Sequence, residues 1–244
     1  MAIGHSIKHA VKSPDYLKIL FLRTIGNFLV LSSLFFIGKT FYLPVREEIR
    51  YFIDKTIQKR YIVAEEKTVF PPITIEEPNS PKGLLAKALN LKQQEILIPV
   101  DTDFGILIPK IAANARVLSN IDASDEKTYL DALNKGVAHA LGTSLPGENG
   151  HIFLFAHSTD YFWNVGSYNA IFYLLQKLEK GDQVNIFYRG VRYVYYVTGS
   201  TVVDPSQVEY LTRKSNKEFL TLQTCWPPGT TLKRLLVFAS PASK

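Results

Sequence analysis

Cysteine is almost absent: the chain has one in 244 residues, and methionine is as scarce. A single thiol excludes an intramolecular disulfide framework and any zinc site built on paired cysteines. Internal repeats and low-complexity tracts are missing as well. Beyond residue 60 neither sign of charge is in surplus. Residues 1–60 hold ten Lys/Arg against four Asp/Glu, which accounts for the whole formal net charge of +6, and the rest of the chain holds 18 of each. The basic pI is therefore a property of the N-terminal quarter, and it gives no support to a phosphate-binding surface on the remainder. No nucleic-acid partner is expected.

What the N-terminal quarter does have is a hydrophobic run between positive charges. Residues 24–38 (TIGNFLVLSSLFFIG) carry no charge and are bounded by Arg23 and Lys39. Fifteen residues fall short of the ~20 that a helix needs to cross a bilayer. Apolar residues on both sides, with Arg23 and Lys39 snorkelling, extend the span to residues 17–45. Tyr16, Phe41 and Tyr42 suit the interfacial belts. Lys8, Lys12, Lys18 and Arg23 face only Asp15 on the N-terminal side. The positive-inside rule then predicts a short cytoplasmic tail (1–16), one uncleaved transmembrane anchor, and an extracellular C-terminal domain. Cleavage as a signal peptide is the competing reading, but Phe36-Ile37-Gly38-Lys39 offers no small-X-small site.

Residues 46–95 read as a stalk. Ile49, Phe52, Ile53 and Ile57 recur at helical spacing among charges, and the prolines Pro71, Pro72, Pro78 and Pro81 then preclude regular structure over 68–82. That stretch is expected to be an extended linker holding the domain off the membrane, with a short helix possible at 83–91. From residue 96 to the end, short apolar runs at 96–100, 104–111, 152–156, 184–188, 191–197, 219–222 and 235–239 predict a mostly β domain with few helices, a barrel of antiparallel or mixed strands. Arg189-Gly190 marks a tight hairpin. The main helix is expected over 169–179, where Ile171, Leu174, Leu175 and Leu178 share a face.

The lone cysteine closes one of these strands. Cys225 follows Leu220-Thr221-Leu222-Gln223-Thr224 and precedes Trp226-Pro227-Pro228-Gly229, which ends the strand; Arg234 begins the next. His157 closes another, after HIFLFA. A strand-end imidazole beside a strand-end thiol can generate the nucleophilic thiolate, and a permanently charged guanidinium can stabilise it or hydrogen-bond the oxyanion formed on a carbonyl. A buried cysteine acting as a small apolar side chain is the plain alternative. His139, ahead of the Leu145-Pro146-Gly147 turn, is the rival histidine and a candidate pocket-lining, substrate-binding residue; Thr224, beside the thiol, is a candidate contact to substrate backbone, though a strand threonine needs no such role. His151 reads as a strand-start residue at the surface. Tyr161, Phe162 and Trp163 could form a pocket wall or cover the barrel. Asp101, Asp103, Asp122, Asp125 and Glu126 lack a calcium-loop spacing and read as solvated carboxylates. No metal site is expected.

Together these residues resemble the sortases, membrane-anchored cysteine transpeptidases of bacterial surfaces. Leu222-Gln223-Thr224-Cys225 is similar to their Thr-Leu-X-Thr-Cys signature, with Arg234 in the following strand and His157 at the end of an apolar one. Further matches are Gly136 through His139, Leu145 through Gly150, and Ile108-Pro109-Lys110-Ile111. Ala156 departs from the glycine common before the histidine, and Trp226 crowds the turn after the cysteine. The resemblance implies a sortase-like β-barrel over residues 96–244, a catalytic set of His157, Cys225 and Arg234, and no cofactor. It implies cleavage of a Leu-Pro-X-Thr-Gly-like sorting signal on exported proteins and transfer to an amine, from a cell-wall precursor or a pilin lysine. The lack of a second hydrophobic segment after Ser240 and of an Asp-Pro-aromatic lid motif points to a housekeeping or class D/E-like member. Two other readings remain open. One is an anchored, non-catalytic peptide-binding barrel with an inert cysteine; the other is an L,D-transpeptidase, whose Ser-His-Gly-Cys type of motif is missing.

Overall fold

Eight strands close into a barrel in the order β10-β8-β7-β3-β4-β5-β6-β9. They are β3 (Phe104–Ile108), β4 (Ala113–Ile121), β5 (Val137–Ala140), β6 (His151–Phe155), β7 (Gln183–Tyr188), β8 (Val191–Val203), β9 (Phe219–Trp226) and β10 (Lys233–Pro241). The computed structural model describes residues 14–64, 94–158 and 170–242. Ahead of the barrel come α1 (Pro14–Thr56), β1 (Arg60–Val63) and β2 (Gln94–Leu97); α2 (Glu126–Leu133) and α3 (Glu209–Thr212) lie within it. The mostly β expectation holds.

The sequence places strands where apolar runs are unbroken, and the barrel interior is filled by every second residue of each. Ile152, Leu154 and Ala156 from β6 and its continuation meet Leu220 and Leu222 from β9 and Leu235, Val237 and Ala239 from β10. The alternate residues Phe153, Phe155, Val203 and Leu236 form a second cluster on the outer face, under Ala132 and Leu133 of α2, with Tyr210 and Leu211 packed against it. Both layers are needed to bury these strands, which explains why β6 reads as continuous apolar sequence rather than as an alternation.

Two connections run parallel, β4 to β5 and β6 to β9, and all other barrel pairs are antiparallel. A parallel pair needs a crossover, and α2 supplies the one between β4 and β5. Asp125 caps α2, its carboxylate accepting the N–H groups of Lys127 and Thr128. Asp122 accepts the Ser124 N–H and hydroxyl. These two acidic residues are thus turn and cap groups. The hairpin expected at Arg189-Gly190 joins β7 and β8, with both residues at positive φ (50° and 75°) as a type I′ turn requires.

The expected helix over 169–179 is a correction: the described part holds only a 3-10 turn, Tyr173–Lys177. Ala170, Phe172, Leu174, Leu175 and Leu178 are buried there, and Phe172, Leu175 and Leu178 among them recur at the 3-10 spacing of three. Residue 169 and the aromatic residues Tyr161, Phe162 and Trp163 lie outside the described residues. So do the tail residues 1–13, the proline-rich 68–82 and the helix expected at 83–91.

Contacts divide the chain into two units, Met1–Arg46 and Glu47–Lys244. In the first, residues Asp15–Lys39 of α1 form a stretch long and apolar enough to cross a membrane, with none of it buried in protein. The last turns of α1 belong to the second unit. There β1 pairs parallel with β2, Arg60 opposite Gln94 through Val63 opposite Leu97, and Val63 and Leu97 pack on Leu107 and Phe187 of the barrel wall. The described chain on either side of the proline-rich segment is therefore paired to itself.

Candidate active site

Strands β6 and β9 run side by side in parallel, from His151 opposite Phe219 to Phe155 opposite Gln223. Two hydrogen bonds carry the match one residue further: the Ala156 N–H donates to the Gln223 carbonyl (3.1 Å), and the Thr224 hydroxyl donates to the Ala156 carbonyl (2.9 Å). His157 is the residue directly after Ala156, just past the end of β6, as Cys225 is the residue directly after Thr224. On the other side β10 is antiparallel to β9 and sets Arg234 opposite Cys225. Three adjacent strand ends, spaced about 4.8 Å apart, thus bear His157, Cys225 and Arg234.

They also share a face. Leu222 and Ala156 point into the barrel, so the alternation turns Cys225 outward, in line with Phe155 and Leu236 of the outer cluster. Cys225 is half-buried. Burial pushes its thiol above the ordinary range, and the Arg234 charge opposes that shift. Arg234 donates through Nη1 to the carbonyls of Thr231 and Lys233, both at 3.1 Å. Among the described residues no carboxylate pairs with it, so its other N–H groups are free to meet an oxyanion. The His157 carbonyl accepts the Phe172 N–H at 3.3 Å.

The other candidates lie elsewhere or do other work. Thr224 is buried, and its hydroxyl is spent on Ala156, so it ties the histidine-bearing strand end to the cysteine-bearing one. His139 is fully buried in β5. Its Nδ1 accepts the Asn120 N–H (3.2 Å), which leaves Nε2 to donate to the Ser144 carbonyl (3.0 Å), and burial lowers its pKa. A ring engaged at both nitrogens with no surface holds a loop in place rather than touching substrate. His151 corrects the surface expectation. It is buried, stacked on Phe219 with ring centroids 4.2 Å apart, bonded through Nε2 to the Thr221 hydroxyl (2.9 Å), and its pKa is lowered to about 4, chiefly by burial. The residues around it are aromatic, and stacking covers a polar ring that sequence alone made look exposed.

Gln223 was not singled out from the sequence. It is half-buried, two residues before Cys225 on the same face, between Phe155 and Leu236. Its parity with Cys225 was the available signal. Among the described residues no cluster of three His, Cys, Asp or Glu side chains is arranged to hold a metal ion. A thiol with a fixed cation opposite it and an imidazole next along the chain from the neighbouring strand is an arrangement suited to thiol attack on a carbonyl.

A family model described as the sortase domain matches residues 106–242, more than half of the chain and all three of these positions. Sortase D of Bacillus subtilis (strain 168) is 33% identical over 138 residues, which cover 55% of this chain and 61% of that protein. The match thus spans less than two thirds of the relative's length. Among solved structures, sortase C-1 from Actinomyces oris is 30% identical with a TM-score of 0.49, covering 59% of this chain and 76% of that one. A sortase D5 transpeptidase from Clostridium perfringens is 24% identical with a TM-score of 0.47, covering 59% and 80%.

Proposed function

The chain belongs to the sortase family, and from that premise we propose that it is a single-pass, membrane-anchored cysteine transpeptidase with Cys225 as nucleophile, His157 as acid–base group and Arg234 as substrate and oxyanion clamp. The adjacency of the three strand ends is the observation that carries this reading. The substrate is a Leu-Pro-X-Thr-Gly-like sorting signal near the C-terminus of an exported protein. His157 takes the Cys225 proton as sulfur bonds to the scissile carbonyl carbon. The carbonyl electrons move to an oxyanion beside Arg234. When the tetrahedral intermediate collapses, the C–N bond breaks and His157 returns the proton to the leaving amine. The thioacyl enzyme is then resolved by an amine from a cell-wall precursor or a pilin lysine, His157 now accepting the amine's proton and the thiol reforming. Water in place of the amine gives hydrolysis. The chemistry calls on no cofactor.

The anchor is the Asp15–Lys39 span of α1, and the basic residues ahead of it put the N-terminus in the cytoplasm and the barrel outside. A class D-like member is the subfamily that suits both the chain and its Bacillus subtilis relative.

The test is intact mass of the full-length chain in detergent after incubation with Leu-Pro-X-Thr-Gly peptides. A mass gain equal to the peptide's acyl part, absent in Cys225→Ala, is expected. No adduct with any peptide, together with a thiol that resists alkylation in the folded protein, would overturn this reading in favour of a binding barrel with an inert cysteine.

A further inference from the structure

The last turns of α1 carry charges that this chemistry does not use, and they are held against the barrel with unusual definition. Glu47 is buried. Its carboxylate accepts both Nε (2.9 Å) and Nη2 (2.6 Å) of Arg50, and Nη2 also donates to the Ile111 carbonyl (3.0 Å) at the 3-10 turn after β3. A buried carboxylate is tolerated where it is paired and hydrogen-bonded, as Glu47 is by Arg50. The next residue, Glu48, pairs with Lys177 at 3.0 Å, and the Lys177 ammonium lies 5.5 Å from the centre of the Tyr51 ring, one turn further along. Tyr51 itself packs on the barrel core. Lys177 belongs to the second 3-10 turn, Tyr173–Lys177. Lys110, in the first 3-10 turn (Pro109–Ile111), reaches Glu179 at 2.7 Å and Asp182 at 2.8 Å in the chain just after the second.

The second turn begins where the active site ends. Phe172, its N-cap residue, is fully buried and donates its N–H to the His157 carbonyl. From this continuity we infer that Glu47–Tyr51 is a positioning element for His157: the end of the anchor helix grips the 3-10 turn whose first residue holds the histidine's backbone. This rests on His157 being the acid–base group. Arg50 and Lys177 are positioning residues, since neither touches the reacting atoms. The extracellular base of the helix is on this view a working part of the catalytic domain, and a protein cut after Thr56 loses it.

The experiment uses the full-length chain in detergent with Lys177→Ala, Arg50→Ala and the conservative Lys177→Arg, the last keeping the charge for both Glu48 and the Tyr51 ring. Steady-state transpeptidation of a sorting peptide is measured for each, along with the pH profile of Cys225 alkylation, with His157→Ala as reference. We expect kcat to fall about fivefold or more in Lys177→Ala and Arg50→Ala while KM stays within about twofold. The alkylation profile should move toward that of His157→Ala, and Lys177→Arg should restore both. Unchanged kcat and an unchanged profile in both alanine variants would overturn the inference, as would a loss that falls on KM alone. If the wild-type chain acylates with no peptide, the transpeptidase reading fails separately. The alkylation profile still decides the coupling, because it needs no substrate.

Discussion

Replacing Thr224 by valine keeps the shape of the side chain and deletes its hydroxyl. In the folded barrel that hydroxyl is buried and donates to the Ala156 carbonyl at 2.9 Å. Valine leaves the carbonyl without this donor at a place water does not reach, and a buried polar group stranded in that way costs about 1–3 kcal/mol. The added apolar character of valine offsets only part of it. Serine gives the opposite balance, since it keeps the bond and loses one methyl, worth about 0.8 kcal/mol. Urea unfolding of the full-length chain in detergent, followed by tryptophan fluorescence, should therefore rank wild type, Thr224→Ser and Thr224→Val in falling stability. Because the severed bond lies one residue before His157, Thr224→Val should also lower kcat more than it raises KM. A valine variant as stable as wild type would refute the reasoning. A rise in KM with kcat unchanged would refute it too, and would return Thr224 to the role of a substrate contact.

Arg234→Gln removes the charge that opposes the burial of the Cys225 thiol. Alkylation at neutral pH should slow, its pH profile should move further upward, and acylation should fall about 10²–10³-fold, as when one oxyanion donor is lost; an unchanged profile would contradict the pairing of Arg234 with the thiol. Burial holds His151 at about 4 in the folded protein against about 6.5 unfolded, so the unfolded chain binds more protons between those values. Stability should be complete above about pH 6.5 and decline as pH falls toward 4, by at most about 1.4 kcal/mol per pH unit and about 3 kcal/mol in all. Unfolding free energies from pH 7 to 4 check this, and His151→Gln should flatten the slope, with the lowered pKa of His139 leaving a remainder of the same sign. Gly147 sits at φ +86°, and a Cβ there would come within 2.8 Å of the Tyr193 hydroxyl. Gly147→Ala should therefore cost about 1–3 kcal/mol in the same unfolding assay.

The strands read from sequence, β3, β6, β7, β8, β9 and β10, each contain a short apolar run, and β6 shows it most clearly because both of its faces are buried. β4 escaped because its inward residues Ala113, Ala115 and Val117 are small and its outward ones include Asn114 and Arg116. That alternation carries little β propensity. β5 escaped because it has four residues and a histidine among them. The helix α2 was hidden behind the acidic residues at its start, whose capping role looks like loop solvation until the following turn is in view. His157, Cys225 and Arg234 stand out in the sequence because each lies at an end of an apolar run. The pairing of the strands that carry them does not, because the register of a parallel pair is set by contacts far apart in sequence. The end of α1 read correctly as a helix, but the apolar face expected from Ile49, Phe52, Ile53 and Ile57 is exposed; the side that meets the barrel carries Arg50 and Glu48, whose partners, the Ile111 carbonyl and the Lys177 ammonium, are distant in sequence.

The parallel pairing of β6 with β9 bears on how such a chain can change over time. Both strands deliver their C-terminal ends to the same rim, so everything between His157 and Cys225 is a detour that leaves that rim and comes back to it. Length added or lost within the detour, at the Arg189-Gly190 turn or between β8 and β9, leaves the histidine and the cysteine in place. An antiparallel pair would have put the two ends at opposite rims. The neighbourhood of the histidine and the cysteine can thus stay constant while the loops around it are rebuilt.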